Sequence, residues 1–183
     1  MSKPRIIGGA AKGRPLETPK SGTRPTPSRV MDALFDILAF HPRGRFLDLF
    51  AGSGAVGLEA ASRGWRSTLV ELDRRAAEVM RRNAQTLGLA AEVVQGDALS
   101  FVLKHRGAFD VVFAAPPYPL ELPPLFQTIL DAGVAKSGGL YVFQHPSGLS
   151  LELERGGEAL AADRRAYGSN VLSLYRLQEA GAR

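Results

Sequence analysis

The chain of 183 residues contains no cysteine. This absence excludes disulfide bonds, thiolate metal sites and enzymes that act through a cysteine nucleophile. Histidine is also scarce, and because His41, His105 and His145 are scattered along the chain, the sequence predicts no metal centre. No apolar run approaches the roughly 18 residues of a membrane span, and the first residues lead into no apolar signal core. We therefore expect a cytoplasmic protein with no membrane anchor.

The apolar content is sufficient for one core. With 45% hydrophobic residues, a chain of this length can build a single three-layer α/β domain, with little left for a second full domain.

Positive charge is concentrated at the N-terminal end. Residues 1–46 contain nine basic and three acidic residues, a net charge of +6, whereas the whole chain carries +5. Segments 5–9 and 12–16 resemble two short strands around a glycine turn. An ordered basic element is typical of proteins that contact phosphate groups, and the alternative is a basic tail that only adds solubility. The predicted division is a basic β-hairpin extension over residues 1–22 and a catalytic domain over 23–183.

Beyond the hairpin, predicted strands and helices alternate. Thr26 is a predicted N-cap with Pro27 at the first helical position, and Asp73 and Gly88 bound a later helix. The tail resembles a β-hairpin, and the rest predicts a parallel sheet with right-handed crossovers and an antiparallel edge. The predicted helices are 27–40, 54–63, 74–87, 99–104 and 122–132, and the predicted strands are 45–50, 67–71, 91–95, 109–114, 139–144, 164–167 and 171–177.

A glycine-rich turn follows the first of the parallel strands. Its sequence over residues 46–57, FLDLFAGSGAVG, also satisfies the dinucleotide-binding spacing. Asp48 disfavours that function because a carboxylate at the strand end would repel a pyrophosphate. S-adenosylmethionine carries an ammonium and a sulfonium but no phosphate, and Glu71, at the end of the next strand, can accept hydrogen bonds from ribose hydroxyls. The alternative is that Asp48 only caps the turn and the glycines only permit close packing.

A second motif follows the strand predicted over 109–114. Ala115, Pro116 and Pro117 form a rigid strand exit, and Tyr118 behind them can stack on a flat base. Together with the glycine turn, this motif predicts methyl transfer from S-adenosylmethionine to an exocyclic amine. The alternative for Tyr118 is an ordinary core tyrosine.

Other acidic residues fall at the same predicted edge of the sheet. Asp97 can accept a hydrogen bond from an adenine amino group, and the Ala98 N–H can reach a ring nitrogen. Asp97 can also cap a helix, which is the more common role. Ligands of such sheets bind outside the carboxyl ends of the strands, so the convergence of these motifs favours a binding site there.

The combined motifs resemble those of the RsmD-type 16S rRNA guanine-N2 methyltransferases. The resemblance covers RIIGG at 5–9, KGR at 12–14, TRPT at 23–26, RV at 29–30, LF at 34–35 and LDLFAGSGAVGLEA at 47–60. It implies a Rossmann-like class I S-adenosylmethionine-dependent methyltransferase fold with a seven-stranded, mostly parallel sheet, an antiparallel C-terminal edge hairpin and a small N-terminal β-hairpin. It also implies methylation of one guanine in 16S rRNA, within a small ribosomal subunit or assembly intermediate, by a protein that we expect to be a monomer. The implied cofactor-binding residues are Asp48, Gly52, Ser53, Gly54, Glu71, Leu72, Asp97 and Ala98, and the implied catalytic residues are Ala115, Pro116, Pro117 and Tyr118.

One residue departs from the family pattern. The family usually has Asp or Asn before the two prolines, where its side chain accepts a hydrogen bond from the target amine, and this chain has Ala115. The backbone carbonyls of Ala115 and Pro116 are the remaining candidate acceptors. Two alternative functions therefore stay open: an amino methyltransferase acting on adenine N6 of DNA or RNA, and an RNA-binding assembly factor with weakened catalysis.

Overall fold

The computed structural model describes residues 3–20, 26–117 and 121–177. Its helices and strands alternate from α1 to β5, as predicted, and further strands follow. The helices are α1 (Ser28–Leu38), α2 (Ala55–Ser62), α3 (Arg74–Leu87), α4 (Ala98–Leu103) and α5 (Leu122–Asp131). The strands are β1 (Arg45–Leu49), β2 (Arg66–Glu71), β3 (Ala91–Gln95), β4 (Phe109–Ala114), β5 (Ala135–Pro146), β6 (Glu154–Arg155), β7 (Glu158–Ala159), β8 (Asp163–Tyr167) and β9 (Asn170–Arg176).

Seven of these strands form one sheet in the order β3-β2-β1-β4-β5-β9-β8. Strands β1 to β5 are parallel, and β9 and β8 form the antiparallel edge. The predicted fold class is therefore confirmed. The sequence did not predict the short β6–β7 pair, nor that β5 begins at Ala135, four residues before its predicted start.

Hydrophobic cores cover both faces of the sheet. On one face, Phe46, Val111 and Val142 pack with Leu34 of α1. On the other face, the neighbouring positions of the same strands pack with Phe126 of α5. This burial on both sides explains why the central strands are almost continuously apolar.

The ends of α3 are as predicted, but the start of α1 is not. Asp73 Oδ1 accepts from Arg75 N at 2.9 Å, and Gly88 ends α3 in the left-handed conformation. The prediction that Thr26 caps α1, with Pro27 as its first helical residue, is wrong, because Pro27 occupies the N-cap position and the helix begins at Ser28. The reason is that Pro27 has an extended ψ of 139° and its carbonyl accepts the first helical hydrogen bonds.

The N-terminal segment pairs with itself and packs on the domain. Ile6 N donates to Arg14 O and Gly13 N to Ile6 O, which gives the predicted hairpin pairing, although Arg5 and Pro15 form only an isolated bridge. Ile6, Ala11 and Leu16 are buried in a core shared with α2 and α3. The predicted domain boundary after residue 22 lies outside the described residues and stays a prediction.

Among the described residues, no helix is both long enough and apolar enough to cross a membrane.

Candidate active site

The ends of three central strands lie side by side. Leu49 of β1 is in register with Ala114 of β4, and Ala114 is in register with Phe143 of β5. Neighbouring strands are about 4.8 Å apart. The glycine-rich turn after β1 and the two prolines after β4 therefore begin next to each other, at the edge where ligands of parallel sheets bind.

The turn after β1 has an unusual backbone. Phe50, with φ of 59°, is the one non-glycine residue of the described chain with a positive φ, and Gly52 and Gly54 also have positive φ angles. A left-handed conformation costs a residue with a side chain roughly 1–2 kcal/mol. Ser53 in this turn is half-buried, and its Oγ lies 3.4 Å from Ala55 N at the start of α2. The strained turn brings the backbone of residues 50–54 to the open edge of the sheet.

The second and third glycines allow α2 to approach the sheet and α3. A Cβ atom at Gly57 would lie 2.5 Å from Leu69 Cγ, and one at Gly54 would lie 2.6 Å from Met80 Cγ. Both distances are too short for real contacts, so glycine is required at these positions. Gly54 and Gly57 therefore permit close packing, and this role does not conflict with cofactor binding, which stays a prediction for these glycines.

Asp48 is a buried carboxylate at the end of β1. Its side chain is 2% exposed, and Oδ2 accepts from Gly57 N in the first turn of α2 at 2.9 Å. Burial, with a further contribution from nearby Glu71, raises the pKa of Asp48 to about 7, although the bond from Gly57 opposes the shift. Because the pKa of this buried carboxylate lies near neutral pH, a cationic partner beside it would favour the ionised form.

Glu71 connects the glycine turn to the start of α3. Oε1 accepts from Gly52 N at 2.7 Å and Oε2 accepts from Asp73 N at 2.8 Å. A carboxylate offers about four lone pairs, so each oxygen can still accept a hydroxyl hydrogen. Leu72, the next residue, is 67% exposed and presents an apolar side chain beside this acceptor pair.

Asp97 caps α4, as the sequence alternative proposed. Oδ2 accepts both from Ser100 N at 2.9 Å and from Ser100 Oγ at 3.1 Å. These contacts use one carboxylate oxygen, and the residue is exposed. Ala98 is the first residue of α4, where backbone N–H groups have no partner within the helix.

The exit of β4 lies at the centre of this edge. Ala115 is half-buried, Pro116 is buried and Pro117 is exposed, and none of the three belongs to the strand. The two prolines have no N–H groups, so they cannot continue the parallel ladder. Tyr118 lies outside the described residues, and its stacking role stays a prediction.

Three buried polar side chains hold the N-terminal hairpin, and the sequence did not reveal their role. Glu59 of α2 accepts from Ile7 N at 2.8 Å and from Gly8 N at 3.0 Å. Ser62 Oγ accepts from Ala11 N and donates to Gly8 O, and Asn83 of α3 binds the backbone N–H and carbonyl of Glu17. The one sequence signal for this role was Glu59, a charged residue among the small and apolar residues of α2.

The exposed surface of this hairpin is basic. Lys3, Arg5, Lys12 and Arg14 are all exposed on it. Because hydrogen bonds fix the hairpin backbone to α2 and α3, these charges form part of the surface of the domain.

Two cavities lie away from the predicted site. One of about 450 Å³ lies near the amino ends of β4 and β5, between residues such as Arg106, Gly133 and Lys136. Another of about 250 Å³ lies between the hairpin, α1 and α2, at Phe35, Arg43 and Trp65. Neither includes the strand ends that carry the motifs, so the candidate site rests on the register and on the carboxylates, and not on cavity size.

The sheet order, the glycine turn after β1 and the acidic residue at the end of β2 define a Rossmann-like methyltransferase fold. Residues 4–176 match the family described as "Conserved hypothetical protein 95", and the chain belongs to this family. The RsmD-type family resemblance seen in the sequence is confirmed.

Individual relatives agree with this assignment. The Bacillus subtilis protein YlbH is 32% identical over 94% of this chain and 98% of its own length. The Escherichia coli protein named ribosomal RNA small subunit methyltransferase D is 44% identical over 62% of this chain and 60% of its own length. The structure of a hypothetical protein from Thermus thermophilus matches with a TM-score of 0.83 and 45% identity, covering 96% of this chain and 99% of the other.

Proposed function

We propose that this protein transfers a methyl group from S-adenosylmethionine to the exocyclic N2 amine of a guanine in 16S rRNA. The observation that carries the proposal is the register between β1 and β4. This register brings the glycine-rich turn, which is typical of a cofactor site, next to the two prolines that follow β4. The name of the Escherichia coli relative supports ribosomal RNA of the small subunit as the substrate.

The residues at the strand ends fit this cofactor. In our proposal, Asp48 balances the cofactor's ammonium group, since its buried carboxylate lacks a cationic partner among its described hydrogen bonds. Glu71 accepts from the ribose hydroxyls through its remaining lone pairs, and the exposed Leu72 packs against the adenine. Asp97 and the Ala98 N–H recognise the adenine edge. Gly52, Ser53 and Gly54 provide the closely approaching backbone.

When bound, the cofactor supplies a sulfonium methyl group that is already activated for in-line displacement. The protein therefore mainly aligns the reacting groups, and such alignment supplies roughly 7–11 kcal/mol in the best cases. One of the backbone carbonyls, of Ala115 or Pro116, accepts one hydrogen of the target amine, and Pro116 and Pro117 keep these carbonyls outside the ladder. Tyr118 stacks on the base, a contribution of roughly 1–3 kcal/mol.

The basic hairpin is the proposed RNA contact. Its charges are exposed, and three buried polar side chains fix it to the domain. We propose that it binds phosphates beside the target nucleotide, in a small ribosomal subunit or an assembly intermediate in the cytoplasm, and that the protein acts as a monomer.

A methylation assay with a nucleoside readout tests this function. Small subunits, naked 16S rRNA and adenine-containing DNA and RNA duplexes are incubated with isotopically labelled S-adenosylmethionine, digested, and analysed by mass spectrometry. We expect labelled N2-methylguanosine from a ribosomal substrate, and a tenfold or greater loss with Glu71→Ala. Label in N6-methyladenosine alone would favour the adenine enzyme.

The absence of an acid or amide at position 115 favours one further candidate, a binding factor without turnover. Cofactor binding by calorimetry combined with no label in any substrate would support it.

A further inference from the structure

Gln144 of β5 lies beside Ala115, where the pairing between β4 and β5 ends. Ala114 and Phe143 are the last pair in register between β4 and β5, and Ala115 and Gln144 each follow by one residue. Ala115 packs on the same core as Val142, and Gln144 follows Val142 by two positions. Because strand side chains alternate between faces, Gln144 and Ala115 share the face that α1 covers.

The Gln144 side chain contains a buried acceptor with no donor. Among the described hydrogen bonds, Gln144 Oε1 has no partner, although the atom is shielded from solvent. The other end of the amide is held, since Nε2 donates to Asn170 Oδ1 at 3.3 Å at the start of β9. The amide is therefore oriented with its nitrogen toward β9.

His145, the next residue, shows the contrast. It lies on the opposite face, and its ring nitrogens contact Pro146 O at 2.9 Å and Ser173 Oγ at 2.7 Å. Burial lowers the pKa of His145, which favours the neutral ring, and both ring nitrogens have a partner within hydrogen-bond distance. His145 is thus explained by the fold, whereas Gln144 Oε1 is not. Buried acceptors without a partner are rare and call for an explanation.

We propose that Gln144 Oε1 accepts a hydrogen bond from the target amine and so replaces the side-chain acceptor that Ala115 lacks. The inference rests on the proposed function and names a specific residue for it. Adjacent strands are about 4.8 Å apart, so a glutamine on β5 can reach the space beside residue 115.

In the proposed step, the guanine N2 forms a bond to the methyl carbon while the S–CH₃ bond breaks and its electron pair goes to sulfur. One N–H proton then leaves to water. An amide oxygen does not take this proton. Its role is to hold the N–H so that the nitrogen lone pair leaves conjugation with the ring and points at the methyl group.

A double-mutant cycle tests this role by single-turnover methylation of the ribosomal substrate. Gln144→Met keeps the side-chain length and removes the acceptor, so we expect a roughly tenfold lower rate, unchanged cofactor affinity and an unfolding temperature equal to or above that of the native protein. Ala115→Asn should restore the rate in the Met variant, and its gain there should exceed its gain in the native background, because only one side-chain acceptor is needed beside the backbone carbonyl. Gln144→Glu retains an acceptor and should keep activity within about threefold of native.

Gln127→Met is the matched control. This variant removes a glutamine amide that binds Asp131 within α5 and the backbone of Glu154 in β6, and we expect no change in rate.

The outcomes separate the inference from the function. A native rate in Gln144→Met, or a loss that Ala115→Asn does not rescue, would overturn the role of Gln144 and leave the proposed function intact. If the native protein methylates no guanine amine, the proposed function and this inference fail together.

Discussion

The buried carboxylate of Asp48 predicts an unusual dependence of stability on pH. Its pKa is raised from 3.8 to about 7 in the folded protein. The folded state therefore binds the Asp48 proton more tightly than the unfolded chain does, so stability from this group is fully present below about pH 4 and is lost as pH rises to about 7. At 1.36 kcal/mol per pKa unit, the ionised carboxylate costs the folded protein roughly 4 kcal/mol above pH 7.

Asp48→Asn removes this cost while it keeps an oxygen that can accept from Gly57 N. We expect the free energy of unfolding of the variant, relative to native, to rise by roughly 4 kcal/mol between pH 4 and pH 8. Urea unfolding of the native protein and the variant, without cofactor and at unit intervals of pH, measures how the difference between their free energies of unfolding changes with pH.

Asp97→Asn provides the control because it removes an exposed charge at the same edge of the sheet. Parallel pH profiles for native protein and Asp48→Asn would refute the raised pKa. A profile for Asp97→Asn as steep as that for Asp48→Asn would mean that net charge, and not burial, causes the effect.

Further predictions concern the cofactor, the packing and the RNA surface. If the cofactor's ammonium pairs with Asp48, binding of S-adenosylmethionine at pH 6 should release about 0.9 proton from this carboxyl group. The Asp48→Asn variant should release none. Calorimetry in buffers of different ionisation enthalpy measures the number of protons released. Gly57→Ala should destabilise the protein by roughly 1–3 kcal/mol in urea unfolding because the added Cβ would overlap Leu69, and native stability would contradict the packing. Glu59→Gln should cost roughly 3 kcal/mol and speed tryptic cleavage after Lys12, since one carboxylate oxygen that holds the hairpin is lost; an unchanged cleavage rate would show that the bond is dispensable. Lys12→Ala should reduce the salt slope of RNA binding by about 0.7–0.9 and leave cofactor affinity unchanged, and an unaltered slope would exclude this residue from the RNA contact.

The sequence predicted the features that are encoded locally. The α3 boundaries follow from Asp73 and Gly88, whose hydrogen bonds and backbone conformation depend on residues within one or two turns. The parallel sheet could be inferred because its buried strands are continuous apolar segments separated by helices. The glycine turn was recognisable for the same reason, since its spacing and its acidic neighbour are close in sequence.

Features that depend on distant partners could not be predicted. Glu59 binds residues that precede it by 51 and 52 positions, so nothing near it in the sequence marks it as an anchor. Gln144 became informative only when the register set it beside Ala115. The early start of β5 at Ala135 goes with an irregular register between Phe109 and Val111, which a periodicity argument does not capture.

Helix α2 connects the glycine-rich turn to the N-terminal hairpin. It begins in the glycine turn, and near its other end Glu59 and Ser62 hold the hairpin. At 1.5 Å per residue, its eight residues span about 12 Å. The helix therefore sets a fixed distance between the glycine-rich turn and the basic surface of the hairpin. In the proposed RNA complex, this fixed distance selects which nucleotide reaches the two prolines after β4, and lengthening the helix by one turn would shift the selected nucleotide along the RNA.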